Sequence, residues 1–168
     1  MSGGQPQTVV VDTSVLINLA ILDRIGLLGA LELLRFVVPP DVLTEVKRPE
    51  QKKRVRAALQ TGILREVALD QPLELAQLVT FRKQMKMGEA ACLTLATSRG
   101  WLFACDEKRS VRSEAKRLLG ADRLLNTPGL FLLAIQTGYW TVDEAEEARA
   151  VLDKNRYRME VGPFRELL

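Results

Sequence analysis

The chain has 168 residues, with 24 basic and 21 acidic side chains, a net charge of +3 and no histidine. This length predicts one domain, residues 1–168, that buries a core without disulfide bonds. The absence of histidine excludes Ser-His-Asp and Cys-His nucleophilic systems, and every metal site or general base that depends on an imidazole.

Predicted strands and helices alternate along the chain. Short apolar runs rich in β-branched residues predict strands at 8–11, 36–38, 64–67, 101–105 and 123–126. Apolar periodicity and end signals predict helices that open at Thr13 or Ser14 and cover 24–34, 40–46, 51–60, 73–85, 89–99, 107–119 and 142–154. This order is typical of an α/β fold with three layers, α/β/α, around a mainly parallel sheet of four to five strands.

The end of the chain, residues 141–168, reads as a C-terminal helix and tail. Thr141 and Glu144 form a capping box for that helix. The tail carries Tyr157, Val161, Phe164 and a terminal pair of leucines, so it packs either on its own chain or on a partner.

Four acidic residues fall where a predicted strand ends or the next helix begins: Asp12, Glu45, Glu89 and Asp106. Taken singly, each has an ordinary explanation as a helix cap, a solvated helix residue or a turn residue. In a parallel sheet, however, strand ends and the following helix starts share one edge, where ligands bind in open α/β folds. The four carboxylates are therefore predicted to meet, and oxygen-only ligands of this kind suit Mg²⁺ or Mn²⁺.

Several segments of this sequence together resemble a known family. Residues 9–17, VVVDTSVLI, are similar to the opening motif of PIN domains, and 39–46, PPDVLTEV, to their second acidic segment. Gly88-Glu89-Ala90-Ala91 resembles the third-acid helix of a subgroup with Glu at that place, and 103–109 resembles the segment with the fourth acid. Residues 127–138 resemble the C-terminal part, so the resemblance covers roughly residues 8–140. Ala104 stands where a Thr is usual.

The resemblance implies an endoribonuclease that depends on Mg²⁺ or Mn²⁺, of the kind found as the toxin of VapC-type toxin–antitoxin pairs. It implies that Asp12, Glu89 and Asp106 hold the ions directly or through water. Glu45 would complete the acidic pocket, and Ser14 would orient a ligand or water. RNA is the implied substrate, and an antitoxin or a second copy of the chain are the candidate protein partners.

Basic residues are concentrated next to the four acids. Lys47 and Arg48 follow Glu45, and Arg82, Lys83 and Lys86 precede Glu89. After Asp106 the chain carries Lys108, Arg109, Arg112 and Lys116. Such clusters are often solvated helix faces, but their position beside the acids favours a rim that binds RNA phosphates. Aromatic residues are few, so base stacking is not the expected mode of recognition.

Other classes of protein share parts of this sequence pattern. A nucleic-acid-binding or interaction module on the same fold, with catalysis lost, remains open because of Ala104. A phosphatase of the haloacid-dehalogenase type would need an Asp where the chain has Ser14, and a phosphoacceptor domain would need a lysine at a strand end. No Walker loop or dinucleotide fingerprint occurs.

The sequence predicts a subcellular location, because it has neither a membrane-spanning stretch nor a secretion signal. Its longest wholly apolar stretch, 130–135, is far below the roughly 18 residues that span a bilayer. The first seven residues have neither the basic nor the apolar region of a secretion signal. We therefore expect a cytoplasmic protein without membrane contact, in which Cys92 and Cys105 are buried and reduced.

Overall fold

The computed structural model describes residues 4–106 and 110–168, and its centre is a parallel sheet of five strands in the order β3-β2-β1-β4-β5. The strands are β1 (Gln7–Val11), β2 (Leu34–Val38), β3 (Leu64–Glu66), β4 (Leu102–Ala104) and β5 (Leu124–Leu125). The predicted α/β class with a mainly parallel sheet of four to five strands is confirmed.

Helices cover both faces of this sheet. They are α1 (Thr13–Ile21), α2 (Gly26–Ala30), α3 (Pro40–Glu45), α4 (Pro49–Gln60), α5 (Pro72–Phe81), α6 (Met87–Arg99), α7 (Ser110–Leu119), α8 (Thr127–Gln136) and α9 (Val142–Lys154). Right-handed crossovers place α1, α2 and α4 on one face and α5, α6 and α7 on the other. The contacts agree, since α1 packs on α4 while α6 packs on α5 and α7.

The core lies where the central strand meets the most buried helix. Val9, Val10 and Val11 of β1 are completely buried, as expected for a parallel strand covered on both faces. Helix α6 packs against β1 and β4, and each of its residues from Gly88 to Ala96 is buried. This burial anchors the start of α6, and with it Glu89, at the edge of the sheet.

The order of the strands creates a crevice at the carboxyl ends of β1 and β4. The chain proceeds outward from β1 to β2 and β3, then returns across the sheet to β4 and β5. Such a reversal is the topological switch point at which open α/β sheets bind ligands. Asp12 directly follows β1, and Cys105 and Asp106 follow β4.

Three local predictions need correction. The helix predicted over 24–34 is wrong, because only Gly26–Ala30 is helical and Leu34 already pairs with Gln7 in the sheet. The helix predicted over 73–85 ends at Phe81. Asp12 itself caps α1, instead of Thr13 or Ser14.

The described residues also define the observed start of α7 and contain no candidate membrane helix. The helix predicted over 107–119 is observed from Ser110, and its first three residues lie outside the described part of the chain. Among the described residues, no helix has both the length and the apolar character that crossing a bilayer requires.

Candidate active site

Asp12 is held at the junction of β1 and α1. Its side chain is only 1% exposed and accepts hydrogen bonds from the Ser14 amide at 3.3 Å and the Ser14 hydroxyl at 2.7 Å. The Cys105 thiol lies 3.8 Å from the same oxygen, Oδ2. Because Asp12 occupies the N-cap of α1, the positive end of the helix dipole stabilises its negative charge.

Asp106 is surrounded by protein hydrogen-bond donors. Its Oδ1 accepts from the Thr127 amide at 2.8 Å and the Tyr157 hydroxyl at 2.9 Å, and its Oδ2 accepts from Asn18 Nδ2 at 2.9 Å and from the Thr127 hydroxyl. A carboxylate has about four lone-pair positions, so these donors engage all of them. The Asp106 amide in turn donates to Ser14 Oγ at 3.1 Å, which links Asp106 to Asp12.

The three partners of Asp106 were not identified from the sequence. Asn18 lies one helical turn after Ser14, a spacing that places both side chains on one face of α1 and could have indicated its role. Thr127 opens α8 directly after β5, at the same edge of the sheet. Tyr157 lies beyond α9, and no local sequence pattern indicates that it contacts Asp106. Its contact with Asp106 shows that the tail packs on its own chain.

Burial and the charge of Asp106 raise the pKa of Tyr157 well above its usual value, while the positive charge of Arg112 opposes the shift. Tyr157 therefore remains protonated at neutral pH and acts as a hydrogen-bond donor to Asp106.

Glu45 is fixed at the end of α3 by two donors. Its Oε2 accepts from the Thr13 hydroxyl at 2.6 Å, and its Oε1 accepts from the Gly88 amide at 2.8 Å. A Cβ atom at position 88 would lie only 2.6 Å from Glu45 Oε1. The absence of a side chain at Gly88 is what allows the Glu45 carboxylate to approach the start of α6.

Glu89 lies in the first turn of α6 and is 7% exposed. Its Oε2 accepts a hydrogen bond from the Lys86 amide at 3.0 Å, which closes a capping box around the start of the helix. The position predicted for Glu89, near the positive end of the helix dipole, is confirmed.

Three of the four acids line a single cleft of about 520 Å³, which we call the acidic cleft. Its lining residues are Asp12, Thr13, Ser14, Ile17, Glu45, Lys47, Lys86 and Glu89. Asp106 is not among them; it adjoins the cleft through its bond to Ser14. Ala104 is completely buried within β4 and is likewise not part of this lining.

The carboxylate and hydroxyl oxygens that line the acidic cleft are the type of ligand that a hard divalent cation prefers. They are not spaced as a formed metal site, because within residues 4–106 and 110–168 no three Asp, Glu or Cys residues form a group that could hold a metal ion. The nearby thiols add no soft ligand. Both cysteines are buried and neither forms a disulfide bond, as predicted, and burial together with the charge of Asp12 raises the pKa of Cys92.

The predicted basic residues are distributed unevenly around the cleft. Lys47 lines it, and Arg48 lines the pocket beside it. Arg112 and Lys116 are exposed on α7 and do not line the cleft. Lys108 and Arg109 lie outside the described residues. Lys86, from the basic cluster that precedes Glu89, lines the cleft as well.

A comparison with family models agrees with the observed fold. A family model described as PIN domain matches residues 8–168. The chain therefore belongs to the PIN-domain family. PIN domains are generally nucleases that act on nucleic acid, and they typically use divalent metals. A search of curated proteins gives no match to this chain.

Proposed function

We propose that this protein is an endoribonuclease that uses Mg²⁺ or Mn²⁺ to cleave single-stranded RNA. The observation that carries the proposal is the acidic cleft, in which Asp12, Glu45 and Glu89 lie together with Lys47 and Lys86. Carboxylates attract the cation and lysines attract the phosphate, so both components of a metal-dependent phosphodiester cleavage have a place there.

In this proposal, Asp12, Glu89 and Asp106 hold the cation. Four protein donors engage all the lone-pair positions of the Asp106 carboxylate, so Asp106 would take part, directly or through water, only after one of these donors gives up its position. A bound Mg²⁺ or Mn²⁺ supplies Lewis acidity, which activates water near neutral pH and offsets charge on the phosphate. Ser14, fixed between Asp12 Oδ2 and the Asp106 amide, orients the attacking water or the phosphate.

Glu45 and the lysines have supporting roles in the proposal. Glu45 forms part of the wall of the cleft, where its two donors hold it in place and its charge adds to the attraction for the cation. Lys47 and Lys86 bind the phosphates that flank the cleaved bond.

We also infer the biological setting from the sequence motifs. Residues 9–17 and 88–91 support membership of the VapC-type toxins, with an antitoxin as protein partner and a cytoplasmic location. Residues 1–168 would then form one domain, because Tyr157 in the tail contacts Asp106. Copurification of the chain with the product of the adjacent reading frame tests the toxin–antitoxin relationship.

A second function, RNA binding without cleavage, is favoured by two observations. The engaged state of Asp106 and the absence of a formed metal group in the described residues both suit a protein that binds RNA and does not cut it. A measurement of RNA cleavage distinguishes the nuclease from the binding module.

The test is cleavage of a mixed pool of single-stranded RNA by purified protein in Mn²⁺ and in EDTA. We expect cleavage by the wild type in Mn²⁺ only, with losses of several orders of magnitude in Asp12→Asn and Asp106→Asn and a smaller loss in Glu45→Gln. Circular dichroism verifies that each variant is folded. Cleavage that survives EDTA would overturn the metal mechanism, and inactivity with every metal and RNA would favour the binding module.

A further inference from the structure

A second pocket adjoins the acidic cleft on the side of the C-terminal segment. We call it the basic pocket; its volume is about 650 Å³, and its lining residues are Ile17, Ile21, Glu45, Lys47, Arg48, Gln51, Lys154, Asn155 and Arg156. Its size is in the range of pockets that accept a ligand. Lys154 ends α9 and Arg156 lies two residues beyond it, more than a hundred residues from Lys47 in the sequence.

Within the described part of the chain, the four cations of this pocket are not paired with an acid. Among the described residues, the side chains of Lys47, Arg48, Lys154 and Arg156 form no salt bridge and no hydrogen bond. Glu45, the acid in the lining, is already bonded to Thr13 and Gly88. Four like charges around one pocket repel one another, so a bound anion would stabilise them.

Arg156 is held in an unfavourable backbone conformation at this place. Its φ is +67°, in the left-handed region where glycine is preferred. The conformation turns the chain sharply after α9, and the next residue, Tyr157, bonds Asp106 at 2.9 Å. The segment that carries Lys154 and Arg156 is therefore tied directly to the candidate active site. Strain of this kind is concentrated at functional sites.

The basic pocket is continuous with the acidic cleft. Ile17, Glu45 and Lys47 line both of them. At the opposite end, a further pocket lined by Arg82, Lys83 and Lys86 shares Lys86 and Glu89 with the cleft. The three carboxylates of the cleft thus lie between two groups of basic residues, along one open path.

We propose that the basic pocket binds the phosphodiester backbone of the RNA strand on one side of the cleaved bond, through Lys154 and Arg156 together with Lys47 and Arg48. Ile17 and Ile21 supply apolar surface for a ribose or base. This inference rests on the proposed function, because it places the bond to be cut in the acidic cleft. A path that is basic at both ends of the cleft suits a strand that passes through, as internal cleavage requires.

The first experiment measures RNA binding without cleavage, by fluorescence anisotropy of a labelled single-stranded RNA in EDTA. Replacing Lys154 and Arg156 together by Ala should weaken binding about tenfold and lower the slope of log K against log salt by about 1.4, which is about 0.7 for each lost phosphate contact. The matched control is Arg35→Ala with Arg65→Ala. It removes the same charge from exposed positions on β2 and β3 that line neither the acidic cleft nor the basic pocket, and should leave affinity and slope close to wild type.

The second experiment uses the backbone of Arg156. Arg156→Gly removes the guanidinium but relieves the left-handed conformation, so it should raise the melting temperature by about 2 to 4 °C while weakening RNA binding. Arg156→Ala should weaken binding equally without the stability gain. Loss of binding in a more stable protein cannot arise from damage to the fold.

The outcomes separate this inference from the proposed function. If the wild type binds RNA through the basic pocket but cuts none with any metal, the inference stands and the nuclease function fails. If the wild type cuts RNA while the Lys154 and Arg156 variants match the control in affinity and salt slope, the inference is overturned and the function stands. If the wild type binds no RNA, both are overturned.

Discussion

At the scale of single residues, the geometry of the acidic cleft depends on a glycine. Gly88 donates its amide to Glu45 Oε1 at 2.8 Å, and a Cβ added there would lie 2.6 to 2.8 Å from the three terminal atoms of the Glu45 carboxylate. Those atoms are the far end of a flexible side chain, so they can move away. A side chain at position 88 would therefore displace Glu45 and leave the helix intact.

Gly88→Ala should accordingly separate activity from stability. Alanine favours the helix by up to about 1 kcal/mol relative to glycine, which offsets the cost of moving Glu45 and keeps the melting temperature near that of wild type. RNA cleavage should fall about tenfold to a hundredfold, as in Glu45→Gln, because a small misplacement of a catalytic group has effects of this size.

Gly26→Ala is the control for this substitution, since a Cβ at position 26 meets no atom within 4 Å. It should cleave RNA at the wild-type rate. Full activity in Gly88→Ala would show that the position of Glu45 has no bearing on cleavage.

The sequence alone predicted the positions of the four acids but not the contacts of Asp106. The positions of Asp12, Glu45, Glu89 and Asp106 at one edge followed from strand ends and helix starts, which are local signals. The network around Asp106 did not follow, because Thr127 and Tyr157 come from segments 21 and 51 residues away, and no spacing rule joins them. Partners at such distances are set by the packing of α8 and α9.

At the scale of elements, a buried ion pair joins α5 to α6. The Glu74 side chain is completely buried and accepts hydrogen bonds from Arg99 Nε at 2.8 Å and Ser98 Oγ at 2.9 Å. The bond from Arg99 is the main cause that lowers the pKa of Glu74 from 4.5 to about 2. Since α6 carries Glu89, this pair also fixes the far end of the helix that begins at the acidic cleft.

Glu74 should therefore make stability depend on pH in the acidic range. Its folded pKa lies below the unfolded value, so its contribution is complete above about pH 4.5 and is lost as the pH falls towards 2. Glu74→Gln should cost about 2 kcal/mol of unfolding free energy at pH 7, and the difference from wild type should shrink below pH 4.5. Urea unfolding between pH 7 and pH 3 measures it.

Asp70→Asn is the matched control for this ion pair. Asp70 contacts the same Arg99 at 3.1 Å, but its side chain is 74% exposed, so its loss should change stability little at any pH. A deficit in Glu74→Gln that stays constant down to pH 3 would contradict the assigned cause.

At one helix boundary, pairing between strands prevailed over the local sequence pattern. The apolar spacing over 24–34 satisfied a helical pattern, yet Leu34 and Arg35 pair with Gln7 and Thr8 because extending β2 completes the hydrogen bonds of β1. By contrast, α6 and α9 have strong end signals, the left-handed Gly100 and the Thr141–Glu144 capping box, and both were predicted closely. Boundaries with capping chemistry are readable from sequence, whereas boundaries set by pairing between distant strands are not.

At the scale of the whole molecule, the strand order explains why these residues make one site. The switch between β1 and β4 brings Asp12 and Asp106 to neighbouring strand ends, and α3 and α6 bring Glu45 and Glu89 to the same edge. The C-terminal segment then completes the surroundings with Tyr157 on Asp106 and with Lys154 and Arg156 in the basic pocket. Residues from almost the full length of the chain thus adjoin one open path.

We propose that this path holds an internal segment of RNA and that the acids cut it with a divalent cation. The most direct test is a circular single-stranded RNA, which has no ends and can be opened only by internal cleavage. We expect purified wild type to convert the circle to linear RNA in Mn²⁺, and neither wild type in EDTA nor folded Asp12→Asn in Mn²⁺ to do so. A circle that stays closed with Mn²⁺ and Mg²⁺, or one that opens in EDTA or with Asp12→Asn, would contradict the claim.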